Sequence, residues 1–310
     1  MILSIINAID FPSWLRDDVF TIGWFSLKWY GLAYVVGLFG AYLYAVKLSQ
    51  RRDIWVPDTP TRLPEIIPNE PMLSDLMFYA LIGIIVGGRL GYIILYSPET
   101  FVEDPIQVLK VWKGGMSFHG GFSGVVFAGL YASWRHKVDK FRIGDMAAVG
   151  APIGLGLVRL TNFMNQELYG NFTDMPWGVR FNAVNEYTRE KLYDSAGEAI
   201  FQMPRHPSQL YEAFLEGLVL FVILRVLTVK FKALTKPGII FGSLTFFYGL
   251  FRFAVEFVRE PDAEMFGPLT RGMAYSLPMI FVGALIIFWA YRRAPVSPKR
   301  LPDLVKSAKK

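Results

Sequence analysis

Two arginines lie inside stretches that are otherwise apolar, and each has polar company at helical spacing. Asn162 follows Arg159 at i+3, while Tyr248, Arg252 and Glu256 are spaced i, i+4, i+8. In a helix each set shares one face. A guanidinium fork matches phosphate oxygens with paired hydrogen bonds. Two such faces turned together could therefore hold a phosphate ester and stabilise negative charge developing on it as a bond to oxygen breaks. Arg159 has no acidic residue within a helical turn, so it requires Glu212 or Glu216 from another segment, or an anionic ligand. Arg252 with Glu256 also fits a purely structural ion pair.

One of the three histidines, His119, sits between two glycine pairs in GGMSFHGG. A neutral imidazole is suited to general-base chemistry, and the flanking glycines let helices or a lipid headgroup approach the backbone closely. A hydrogen-bonded structural histidine is the plain alternative. The chain has no HExxH pattern and no cysteine, so the usual zinc ligand sets are missing and no metal site is expected. Without cysteine there is also no disulfide and no thiol nucleophile. Any thiol in the chemistry must belong to a partner.

The elements carrying these residues read as membrane spans. Hydrophobic residues make up 53% of the 310, aromatic residues 16%, and mean hydropathy is +0.34, values that argue against an ordinary soluble core. Apolar stretches long enough to cross a bilayer as helices recur at Ile22–Val46, Leu76–Tyr96, Phe118–Trp134, Met146–Met164, Leu210–Leu227, Ile239–Val258 and Ala274–Tyr291. The expected fold is an all-α multi-pass membrane protein of about seven helices. With the N-terminus outside, the inner segments hold 19 of the 32 Lys and Arg and the outer ones 9; that asymmetry sets an N-out, C-in topology. No removable signal peptide is read at Met1–Asp10.

A single catalytic domain over 1–293 is expected, with an outer loop subdomain at about 166–207 containing a short strand in WGVRFNAV. The proline-rich segment after Asp53 reads as an extended inner linker, and 294–310 as a basic, disordered cytoplasmic tail. The net charge of +6 suits anionic lipid headgroups better than nucleic acid. Polar residues at membrane depth cost roughly 2.5–3.5 kcal/mol each and are functional candidates for that reason. On this topology His119, Arg159, Asn162, Glu167, Tyr248, Arg252 and Glu256 converge on the outer leaflet, where Tyr30 and Arg89 can join them. RHPSQLYE opens the fifth span: Pro207 suits a first helical turn, Ser208 or His206 could cap it, and Glu212 and Glu216 enter the membrane behind it.

GGMSFHGG, HPSQLYE, KWYGL, GGRLGY and YGLFRFAVEFVREPDA, in that family's order, resemble blocks of the bacterial prolipoprotein diacylglyceryl transferases. VRLTNFMNQELYG resembles the family's signature with two departures, Val158 and Thr161 standing where smaller residues are usual. The resemblance runs from about Phe25 to Arg293. It implies transfer of the diacylglyceryl group of phosphatidylglycerol to the lipobox cysteine of a prolipoprotein in the bacterial inner membrane, without metal or organic cofactor. It carries over Arg159, Asn162, Glu167, His119, Tyr248, Arg252 and Glu256 as functional residues, with Tyr30 and Arg89 beside them.

In that chemistry His119 either takes the thiol proton as base or orients the substrate, and Arg159 and Arg252 stabilise the departing phosphate ester. Glu256 orients Arg252, Asn162 and Tyr248 donate hydrogen bonds to the headgroup, Glu212 contributes to substrate binding, and Glu167 holds the following loop. A transporter or flippase for an anionic lipid is the competing class. It requires polar residues continuing to the inner leaflet, whereas the inner halves of the spans are almost wholly apolar. An intramembrane protease would need a serine–histidine pair, paired aspartates or a metal motif, and no nucleophile elbow is present.

Overall fold

The computed structural model describes residues 8–23, 25–55, 64–65, 67–99, 104–110, 114–185, 191–261, 265–293 and 297–298. The chain is mostly helical. Its helices are α1 (Trp29–Gln50), α2 (Glu70–Tyr96), α3 (Phe118–His136), α4 (Lys140–Ala148), α5 (Ala151–Met164), α6 (Ser208–Glu212), a π-helical segment (Ala213–Val219), α7 (Leu220–Val229), α8 (Ile239–Val255) and α9 (Arg271–Arg292). By length and apolarity α1, α2 and α9 can cross a membrane, and α4 with α5 would make a fourth span if that pair, bent by 42°, is taken as one.

Each of the seven apolar stretches is helical over most of its length, with three departures. Residues 18–28 form a hairpin, β2 (Asp18–Ile22) with β3 (Phe25–Lys28), instead of the start of the first helix. The turn contains Gly23 at φ +59°, and the strand residues Val19, Phe20, Thr21 and Ile22 are β-branched or aromatic, which favours extended backbone. The fourth stretch breaks between α4 and α5, and the fifth carries the π-helical segment. The predicted disordered tail and inner linker lie mostly outside the described residues; within them, β4 (Pro64–Glu65) pairs in parallel with β6 (Ser297–Pro298).

The chain forms two compact units. The first comprises Met1–Ala41, Ala151–Arg225 and Gly242–Leu285. In it β1 (Ile9–Asp10) pairs in parallel with β5 (Val179–Arg180), so the expected strand at WGVRFNAV exists. Its partner comes from the N-terminal segment. Phe11, Val179 and Phe181 make a small core joined by Leu15, Phe163, Tyr169 and Phe201, so the loop subdomain recruits residues well before 166.

The second unit comprises Tyr42–Gly150, Val226–Phe241 and Ile286–Lys310. Its α2 begins at Asn69, whose side chain accepts from Met72 N at 3.1 Å, an N-cap that satisfies one orphan donor of the first turn. Helices α2 and α3 meet backbone to backbone: a Cβ on Gly91 would stand 2.7 Å from Gly120 Cα, and Gly83 and Gly87 face Gly120 and Gly124 in the same way. Small residues permit this approach in membrane helices, where dispersion and close packing drive association. Asp145 on α4 is buried and accepts from Gly238 N and Phe241 N, both at 2.8 Å, which caps the start of α8.

Candidate active site

In the first unit, glycines set the distance between α5 and the π-helical segment. A Cβ on Gly217 would come within 2.7 Å of Gly156 Cα, and one on Gly156 within 3.1 Å of Gly217 Cα. With the two backbones in contact, Arg159, one turn beyond Gly156, reaches the carboxylates flanking Gly217. Its Nε lies 3.1 Å from Glu216 Oε2 and 3.4 Å from Glu212 Oε2. Of the two partners open on the sequence, Arg159 has both.

Glu212 gathers the other guanidiniums. Arg252 pairs with its Oε1, and Arg259 NH1 reaches Oε1 at 3.0 Å and Oε2 at 3.3 Å. Arg252 NH2 also lies 2.5 Å from Glu256 Oε1, while Thr270 donates its hydroxyl proton to Glu256 Oε2. The result is a network of three arginines and three glutamates. Glu212 and Glu216 are wholly buried and Arg259 and Glu256 nearly so, whereas the side chains of Arg159 and Arg252 are each 15% exposed. Burying such a set requires that every charge be paired. Within it Arg159 and Arg252 are the most exposed members. Tyr248, one turn before Arg252, is within electrostatic reach of Glu216, Arg159, Arg252 and Glu212.

The segment after α5 is folded back on itself. Glu167 Oε1 accepts from Asn162 Nδ2 at 2.7 Å and Asn165 Nδ2 at 3.3 Å, and its carbonyl accepts from Gln209 Nε2 at 2.6 Å. Gln166 and Leu168 adopt left-handed backbone, φ +55° and +58°, a conformation that costs an L-residue energy and persists only where the surroundings hold it. The Glu167 side chain thus ties back to Asn162 and Asn165 at the end of α5, and the Asn162 amide is engaged with it. Neither Ser208 nor His206 caps α6 through its side chain: Ser208 instead donates to Leu168 O at 2.9 Å. Burial pushes the His206 imidazole below its ordinary value.

Tyr30 is half-buried on α1. It pairs with Tyr34, hydroxyl to hydroxyl at 3.4 Å, and Tyr34 is within electrostatic reach of Arg159 and Glu167.

Arg89 and His119 belong to the second unit. Arg89 is buried on α2 and donates to the carbonyls of Gly114 at 2.7 Å and Gly115 at 3.1 Å. Both glycines have positive φ, +84° and +73°, and a Cβ on Gly115 would meet the Tyr92 ring at 2.6 Å. Ser117 N donates to Gly88 O at 2.8 Å, and the Ser117 side chain caps α3 by accepting from Gly120 N at 3.3 Å. These ties fix the loop that ends at His119, an exposed residue in the first turn of α3 whose ring packs edge-on against Phe118.

Sequence reasoning kept Glu212 but left Glu216 as one alternative, and it passed over Arg259, Thr270, Gln209 and Tyr34. Arg259 carried a signal: with Arg252 and Glu256 it completes an i, i+4, i+7 row, the spacing of one helix face.

A family model described as prolipoprotein diacylglyceryl transferase matches residues 17–289. A relative from Phenylobacterium zucineum is 43% identical over 285 residues, covering 91% of this chain and 94% of the relative. One from Rhodopseudomonas palustris is 41% identical over 297 residues, covering 94% and 95%. One from Bartonella bacilliformis is 39% identical over 293 residues, covering 92% and 95%. All three are named phosphatidylglycerol–prolipoprotein diacylglyceryl transferase. A family match across most of the sequence, and relatives aligned over at least nine-tenths of both chains, establish that this chain belongs to the prolipoprotein diacylglyceryl transferase family.

Proposed function

We propose that Arg159 and Arg252 receive the phosphodiester of phosphatidylglycerol and that the thiol of a prolipoprotein lipobox cysteine attacks the adjoining glyceryl carbon. The chain is a diacylglyceryl transferase acting in lipoprotein maturation; the assignment of residues to steps is our reading. A carbon–sulfur bond forms, the carbon–oxygen bond to phosphate breaks, and glycerol phosphate leaves. The thiol proton passes to a base, for which His119 is the candidate, since a free thiol of pKa about 8.5 is mostly protonated at neutral pH. Charge accumulates on the departing phosphate, where fixed guanidiniums stabilise it without reorganising.

The observation that carries this reading is the contrast in exposure within the charged network: buried carboxylates hold Arg159 and Arg252, the two members whose side chains stay partly exposed. In this reading Tyr248, which lies within electrostatic reach of both arginines, donates to the headgroup. Asn162 and Glu167 shape the loop beside it, Glu256 and Glu212 hold the arginines, Tyr30 flanks Arg159 through Tyr34, and Arg89 holds the loop of His119. Seven spans, an outside N-terminus, a cytoplasmic tail, one catalytic domain over 1–293 and a site open to the outer leaflet of the inner membrane complete the proposal. The spans rest on the seven apolar stretches and the orientation on the distribution of Lys and Arg.

The test is transfer by purified protein in phosphatidylglycerol vesicles, read as a diacylglyceryl mass gain on the cysteine of a lipobox peptide. Arg252→Ala and His119→Gln should each abolish it at unchanged protein level. Full activity in either removes that residue from the mechanism, and lipid movement without mass gain would favour a transporter.

A further inference from the structure

The turn between Phe172 and Gly178 carries large apolar side chains that the transfer site does not use. Phe172 is exposed, as are Met175 and Trp177 at 47% and 49%. The turn is nevertheless well held: Thr173 N donates to Pro204 O at 3.0 Å, Gly178 N to Met175 O at 2.9 Å, and Met175 N to Thr173 Oγ1 at 3.2 Å. The Phe172 ring centroid lies 4.0 Å from the Arg205 guanidinium carbon. Three large exposed apolar side chains on one well-held turn mark a place where something docks.

Its neighbour indicates what that is. The indole Nε1 of Trp177 donates to the Tyr211 hydroxyl at 2.8 Å. Tyr211 heads a row continued by Phe214, Leu218 and Val222, which are 56%, 57% and 47% exposed, while Glu212, Glu216 and Leu220 on the same segment are buried. In a membrane protein an apolar helix face left open in this way faces lipid. Trp177 prolongs that row beyond the start of α6, and Met175 lies two residues before it in the same turn. Tryptophan and tyrosine, with an apolar ring and a polar tip, concentrate where hydrocarbon meets headgroups.

We propose that the Phe172–Gly178 turn is a membrane-interface anchor, seating Met175 and Trp177 at the headgroup boundary and pinning the loop subdomain to the bilayer. Asp174, exposed in the same turn, limits the insertion to headgroup depth. Lipid is favoured over the acceptor peptide because the surface is continuous with the lipid-facing row.

The absence of native cysteine makes Met175→Cys a unique labelling site in the full-length chain. A nitroxide there, in phosphatidylcholine vesicles without phosphatidylglycerol or peptide, should collide with oxygen in preference to a water-soluble nickel chelate. A label at Ser195→Cys, exposed in the same subdomain, should show the reverse. Trp177→Ala should move the Met175 label toward nickel. Equal nickel access at both positions overturns the proposal. Protection of Met175 only after a lipobox peptide is added overturns it too, in favour of peptide docking. The proposal rests on the membrane reading alone, so loss or retention of transfer activity does not bear on it.

Discussion

Glutamine in place of Glu212 isolates what the most connected carboxylate does. Glu212 engages all three guanidiniums, so neutralising it leaves Arg159 with Glu216 and Arg252 with Glu256 as their remaining anionic partners and loosens both. On the proposed mechanism both are transition-state donors, and misplacing such a group by about 1 Å can cost about 10²-fold. Glu212→Gln should therefore lower kcat by about that factor with little change in KM for phosphatidylglycerol, measured with vesicle substrate. A rise in KM at constant kcat would make Glu212 a direct substrate ligand instead. His206 gives a pH signature. Its imidazole is held below the ordinary value by burial, so as pH falls through about 6.5 the unfolded chain takes up a proton that the folded chain refuses. Stability should decline as pH drops through that window, and His206→Gln should flatten the slope in thermal melts across it. The arginines were legible because a charge inside an apolar stretch stands out. Arg259 was not, because it lies past the end of its stretch, where a charge looks ordinary.

The elements place these residues through close backbone contact. Gly217→Ala would force α5 and the π-helical segment apart at a contact of 2.7 Å, and overpacking of this kind costs about 1–3 kcal/mol. A lowered melting temperature together with a loss of transfer exceeding the loss of folded protein is expected, since Arg159 would shift against Glu216. Activity falling only in proportion to folded protein would show that this contact serves stability alone. The π-helical turn itself was invisible in the sequence. Such bulges recur at functional sites, but nothing in AFLEGLV distinguishes one from α-helix. Hydropathy likewise could not separate the β2–β3 hairpin from α1, because strand and span share apolar composition. The break between α4 and α5 was unread for a related reason: a window average does not register the backbone turn at Val149–Gly150. What periodicity did expose was the face shared by Tyr248, Arg252 and Glu256, which the structure places against Glu212 and Glu216.

For the whole molecule, a chain without cysteine permits its topology to be mapped one site at a time. A cysteine at Ser195 should react with a membrane-impermeant maleimide added to intact spheroplasts, and one at Ser307 only after permeabilisation. The opposite pattern would reverse the proposed orientation. The buried network bears on a different property. With all six groups ionised, its three cations and three anions cancel. On the proposed mechanism, a lipid phosphate meets guanidiniums already paired with carboxylates, so its net gain from binding is reduced. On that reading the standing carboxylate partners also favour the departure of glycerol phosphate. For a donor that is itself a component of the surrounding membrane, supply does not depend on tight capture, and the arrangement favours rapid clearing of the site over retention.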